Sequence, residues 1–245
     1  MYEDLTKELA GKIQTRFRQI MSHNESIQRI TKLIRAGKAT QRDVSDYADF
    51  VGKAGSASMK QVLHLDALPD ATMYEEIAKD TITPVMEDMW GWVNTRAAEQ
   101  LRATDAAKGI NLGIRTGFKP ERRIQEVVDM MAGQTSQVAL DNAMTDPVIS
   151  TSRKFFDDFQ MENADLREKL GYDALVVRQY DDKGLHDRKT PCAWCLAREG
   201  RFSMAEAHAL GVFNRHPGCG CHIEVIYPDR TEVQTDWTRN EWSEI

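Results

Sequence analysis

From Leu5 onward apolar residues recur every three or four positions. Leu5, Leu9, Ile13, Phe17, Ile20 and Met21 form one series, and Ile27, Ile30, Leu33 and Ile34 resume it after Ser22-His23-Asn24. A period near 3.6 lines these side chains along one face, so the spacing predicts an amphipathic helix broken once. Ala36-Gly37-Lys38 supplies a stop, and Thr40 is placed to cap a further helix whose apolar face holds Val44, Tyr47, Ala48 and Val51. Gly52 and Gly55 interrupt that helical signal. Glycine weakens a helix interior by about 1 kcal/mol relative to alanine, unless its bare backbone is there to admit a neighbouring one.

A turn is expected at Leu68-Pro69-Asp70, followed by Met73, Ile77, Ile82, Val85, Met86, Met89, Trp92 and Val93 at near-helical spacing. Pro84 either kinks this segment or starts the next helix. Gly109, Gly113 and Gly117 mark an irregular connection. Ile124, Val127, Val128 and Met131 then make a short helix ended by Gly133, and the run from Ser152 through Phe155, Phe156, Phe159, Leu166 and Leu170 makes another, closed by Gly171.

Beyond Gly171 the period changes. Ala174 to Tyr180 reads as a strand rich in β-branched residues, Met204 to Leu210 reads as a short helix, and His222 to Tyr227 reads as a second strand stopped by Pro228. The expected fold class is α+β: a mainly helical body over residues 1–171 and a small C-terminal α/β module over 172–245.

Hydrophobic residues make up 41% of the chain and charged residues 29%, a balance that supports a packed core rather than disorder. The formal net charge of -6 argues against broad coating of nucleic acid, which needs a basic excess. The segment MYEDLTKELAGKIQTRF carries charge throughout, so neither a signal peptide nor a membrane span is expected there, and the cysteines are expected to meet a reducing cytoplasm.

All four cysteines fall between positions 192 and 221. Cys192-Ala-Trp-Cys195 has the common zinc-knuckle spacing, and Cys219-Gly-Cys221 brings a second, closer pair. Zinc takes four donors in a tetrahedron, with sulfur at about 2.3 Å, and two converging turns can supply them. An all-thiolate site on Cys192, Cys195, Cys219 and Cys221 is the first expectation, with His216 as the substitute donor and His222 as a further neighbour. Two disulfides or free buried thiols are the alternatives. A thioredoxin-like redox role lacks the strand-then-helix context after the C-x-x-C pair. Four thiolates would close the metal sphere, so the zinc is expected to be structural rather than catalytic.

Other candidates are weaker. His186, Arg188, Lys189, Arg198, Arg201 and Arg215 could meet DNA phosphates or an acidic protein, but Asp173, Asp181, Asp182 and Asp187 offset them, and a solvated face is the simpler reading. Glu75, Glu76, Asp80, Glu87 and Asp88 fit the wet side of a helix better than a carboxylate site. His23, His64 and His208 have no partner that spacing identifies, and Trp90 and Trp92 most simply supply core or interface area. There is no nucleophile elbow, phosphate loop or H-E-x-x-H, so no enzyme activity is expected.

The order VVRQY, PCAWC, REGRFS, FNRHPGCGC and HIEVIYPD resembles the C-terminal module of minor head proteins of tailed bacteriophages, the Mu F-like head morphogenesis group. GKATQRDVSDYADFVGKA, LPDATMYEEIAKDTITPVM, DPVISTSRKFFDDFQMENADLREKLGYDALVVR and the closing QTDWTRNEW are similar to segments of minor head proteins in siphophage-type genomes, so the resemblance covers most of the chain. It rests on Cys192, Trp194, Cys195, Arg215, His216, Cys219 and Cys221. It implies a low-copy virion component at the portal vertex, acting in head assembly and in DNA packaging or ejection. The implied partners are portal protein, major capsid protein and packaged DNA, and the implied location is the virion head, with host cytoplasm during assembly. The family has Asn and Arg between the histidine and the last cysteine where this chain has Gly218 and Gly220, so a contact made by that arginine would be missing. The alternative is a zinc-containing DNA-binding or DNA-processing protein.

Overall fold

The computed structural model describes residues 2–117, 119–180 and 192–227. Contacts divide the chain into two compact units: Met1–Phe159 with the short segment Arg215–Cys219, and Gln160–Asn214 with Gly220–Ile245. This division falls inside a helix, whereas the change of periodicity at Gly171 follows that helix's last residue, Lys169.

The first unit is helical. α1 (Glu3–His23) and α2 (Glu25–Arg35) are separated by Asn24, whose side chain accepts from the Ile27 amide at 3.0 Å and so caps α2. Gly37, at φ +66°, ends α2 in the left-handed conformation, and Lys38 N donates back to Leu33 O at 2.9 Å. Thr40 and Asp43 then form a reciprocal capping box at the start of α3 (Gln41–Val62). α3 runs unbroken through both glycines. A Cβ at Gly52 would lie 2.7 Å from Ile149 Cα, and one at Gly55 would lie 2.4 Å from Met89 Sδ, so both glycines serve close packing.

Two short 3-10 turns, Leu65–Ala67 and Pro69–Ala71, occupy the expected turn region and lead into α4 (Glu75–Ala107). Of the two expectations for Pro84, the start of a new helix is not met, because it lies inside these 33 residues. Its missing N–H costs one bond, while Ile82, Val85 and Met86 around it are fully buried and hold the helix in place. α5 (Glu121–Met131) follows the irregular connection as expected. α6 (Gln137–Ala143) was not legible in the spacing, and α7 (Asp146–Lys169) begins before the aromatic run. α1, α3 and α4 pack on one another around a core that includes Phe17, Tyr47, Met59 and Met89, each fully buried. Trp92 stays 36% exposed, edge-on to Phe17 at 6.2 Å, and Trp90 is half-buried against the core.

In the second unit β1 (Leu175–Tyr180) lies between β2 (Gly200–Ser203) and β3 (Cys221–Ile226), and both pairings are antiparallel. The module is therefore helix with antiparallel sheet rather than α/β, and β2 is a strand the sequence reading omitted. α8 (Ala193–Leu196) and α9 (Met204–Leu210) complete it. α9 starts on a Ser203–Glu206 capping box and ends on Gly211 at φ +62°. A small core of Val176, Met204, Ala207, Val212, Phe213, Ile223 and Val225 fills this unit. Among the described residues no helix is long and apolar enough to cross a membrane.

Candidate metal centre

The first cysteine pair is set by a single helical turn. Cys192 is the N-cap of α8, and Leu196 N donates to its carbonyl at 3.0 Å. Cys195, three residues on, therefore returns to the same side of the turn; it is buried, and Cys192 is half-buried. The intervening Trp194 ring meets two guanidiniums, with Arg198 4.0 Å and Arg178 4.9 Å from its centroid. Arg178 is fully buried in β1, and its Nη1 donates to the carbonyls of Val212 and, at 2.7 Å, Asn214. Arg198 donates to Trp194 O at 3.2 Å and to Leu210 O at 3.0 Å.

The second pair is delivered by a different device. Cys219 N donates to His216 O at 3.1 Å across Pro217-Gly218, with Gly218 at φ +71°. Proline then glycine at the two central places, the second with positive φ, is the pattern of a type II turn. α7 anchors this turn. Gly218 N donates to Ser150 Oγ at 3.1 Å, and Arg153 Nη1 donates to Cys219 O at 2.7 Å. Arg215 grips Asp157 with two nitrogens, Nη2 to Oδ1 at 3.0 Å and Nε to Oδ2, and both side chains are almost completely buried. Cys221 opens β3 opposite Tyr180 and is fully buried.

These elements give two donor groups, Cys192 with Cys195 and His216, and Cys195 with Cys219 and Cys221, in each of which all ligand atoms lie within 4.8 Å of one another. Cys195 belongs to both. The edge of a zinc–thiolate tetrahedron is about 3.8 Å for a bond of about 2.3 Å, so the spacing within each group is near what one ion needs. The donor chemistry fits. All four cysteines are free thiols, so the disulfide alternative is not what this structure holds. His216 Nδ1 lies 2.8 Å from Pro217 O, and since a carbonyl only accepts, that nitrogen carries the proton and leaves Nε2 the lone pair of a neutral ring.

His222 joins neither group. It follows Cys221 directly on a strand, and alternation sends its side chain to the other face. Of the cations considered from sequence, Arg215 and Arg198 are engaged as described and Arg201 is exposed, whereas His186, Arg188, Lys189, Asp181, Asp182 and Asp187 lie outside the described residues. The acidic residues of α4 take separate partners: Glu87 pairs with Lys119 at 3.1 Å, Asp88 with Arg18 at 3.4 Å, and Asp80 meets Thr6 at 3.4 Å. His208 does have a partner, Asp165 at 2.8 Å.

The sequence reading missed Ser150, Arg153 and Asp157. Their spacing i, i+3, i+7 places them on one face of α7, and the signal was there in charges spread around a helix otherwise rich in phenylalanine. Burial and the nearby Arg215 pull the Arg153 pKa down to about 10, against the opposing pull of Asp49, Cys219 and Asp157. Arg153 therefore still carries its charge at neutral pH. No family model, no curated protein and no solved structure matches the chain.

Proposed function

We propose that this chain is a non-enzymatic minor head protein of a tailed phage, in which a helical body carries a C-terminal module fastened by one structural zinc. The observation that supports the zinc half is the gathering of four free thiols and one imidazole into two groups that share Cys195. Four protein donors would fill a tetrahedral zinc sphere and leave no position for substrate, so the ion would contribute folding energy rather than chemistry. The virion half is supported by the motif order through PCAWC and FNRHPGCGC. In that role the module offers a rigid contact surface to portal or capsid protein at the portal vertex.

The DNA-binding alternative draws on exposed cations. Arg215 is buried on Asp157, and Arg198 donates to two carbonyls beside Trp194, which leaves Arg201 as the exposed arginine of that trio. Elemental analysis of protein purified under reducing conditions tests the zinc reading: one zinc per chain is expected, and none would overturn it. Co-purification with portal protein from assembling heads tests the virion reading, which fails if heads form without this chain in them.

A further inference from the structure

We propose that Arg215, with Arg153 behind it, is a positioning residue for the metal centre that offsets the charge of the Cys219 thiolate and aims its sulfur at the ion. The inference deepens the zinc reading and rests on it. A divalent ion on four thiolates carries a net charge of about -2, and burying such charge without compensation is costly. Arg215 spends Nε and Nη2 on the carboxylate of Asp157, and that fixed fork leaves Nη1 3.9 Å from Cys219 Sγ. Arg153, itself 3% exposed, holds the same residue through its carbonyl.

Asp157 answers one guanidinium, and Asp49, 2% exposed, is paired with Lys53 at 3.0 Å. Arg215 and Arg153 thus both address Cys219, one at its sulfur and the other at its carbonyl. An ammonium could supply the charge but not the aim, because only a planar guanidinium can commit two N–H groups to a carboxylate and direct a third at a fixed angle.

The test uses full-length protein, with cobalt(II) as the probe metal, and the variants Arg215→Gln, Arg215→Lys and Asp157→Asn. Wild-type protein is expected to bind cobalt with intense near-ultraviolet thiolate charge-transfer absorption. Arg215→Gln is expected to fold by far-ultraviolet circular dichroism yet lose about 10- to 100-fold in cobalt affinity by chelator competition, the usual scale for an outer-sphere partner. Its cobalt-bound thiolates should be alkylated faster by iodoacetamide, since the compensating cation is gone, and Arg215→Lys should restore part of the affinity. A merely structural role would not move the alkylation rate of the folded, loaded protein. Wild-type affinity, absorption and alkylation in folded Arg215→Gln would overturn the inference; should that variant not fold, the same wild-type values in Asp157→Asn would overturn it. Wild-type protein that binds no cobalt overturns the metal reading and this inference with it.

Discussion

Replacing Gly52 with alanine sets a local preference against a tertiary contact. Within a helix alanine is favoured over glycine by about 1 kcal/mol. At this site the new Cβ would lie 2.7 Å from Ile149 Cα, 3.0 Å from Ser152 Cβ and 3.2 Å from Ile149 O, where carbon atoms rest best at about 3.5 to 4.0 Å apart. Two of those three atoms are backbone of α7 and cannot rotate aside, so α3 and α7 must separate by about 1 Å. That separation strains the buried bond from Ser152 Oγ to Ala48 O, now 2.6 Å. Overpacking of this kind costs about 1–3 kcal/mol, and weakening the hydrogen bond adds about 1 kcal/mol, so the net effect after the propensity gain is a loss of about 1–3 kcal/mol. For a chain of this size that lowers Tm by about 2–12 °C. The assay is urea and thermal unfolding followed by far-ultraviolet circular dichroism. Gly11→Ala and Gly91→Ala are the controls, because a Cβ at either meets nothing within 4 Å, and each should gain up to about 1 kcal/mol. Gly55→Ala should fall between, since the atom in its way is the sulfur of the flexible Met89 side chain. If Gly52→Ala unfolds at or above the wild-type midpoint while Gly11→Ala gains as stated, the close approach of α3 and α7 is refuted.

Further outcomes are expected at the cysteine cluster and in α7. Cys195→Ser should abolish zinc binding, because Cys195 stands in both donor groups, whereas His216→Ala should keep one zinc per chain if the four thiolates form the site; zinc analysis of both variants decides. Stripping zinc with a chelator should lower the thermal midpoint, by an amount equivalent to about 2.7 kcal/mol when free zinc had stood at about a hundred times its Kd. Burial holds the Lys154 pKa below its ordinary value despite Asp158, so the unfolded chain binds more proton than the folded one between the lowered and the ordinary pKa. Stability carried by this group should therefore rise with pH across that alkaline window, and the rise should vanish in Lys154→Met, where Asp158 keeps Arg123 at 2.8 Å; urea midpoints against pH test it. Arg198→Ala should cost about 1 kcal/mol or more, measured by unfolding, through loss of its two carbonyl bonds and its stacking on Trp194.

Much of this protein is legible in local sequence because the forces that shape it there are local. A 3.6-residue apolar period, the Thr40-x-x-Asp43 and Ser203-x-x-Glu206 caps, and glycines after α2, α5 and α7 specify helix spans from contacts a few residues apart. The two cysteine turns are local in the same sense. Spacing left other matters open. Whether Gly52 breaks α3 or admits α7 depended on a partner about a hundred residues away, and whether Pro84 started a new helix depended on the core that buries its neighbours. Sequence proximity offered His222 as a further donor, and the fold left it out of both groups while bringing Cys195 within reach of each. Arg153 and Asp157 read as ordinary helix charges until chain segments 66 and 58 residues distant bury them against Cys219 and Arg215. The physical reason is that capping and periodicity act within a turn or two, whereas burial of charge and choice of metal donors depend on what long-range packing places alongside.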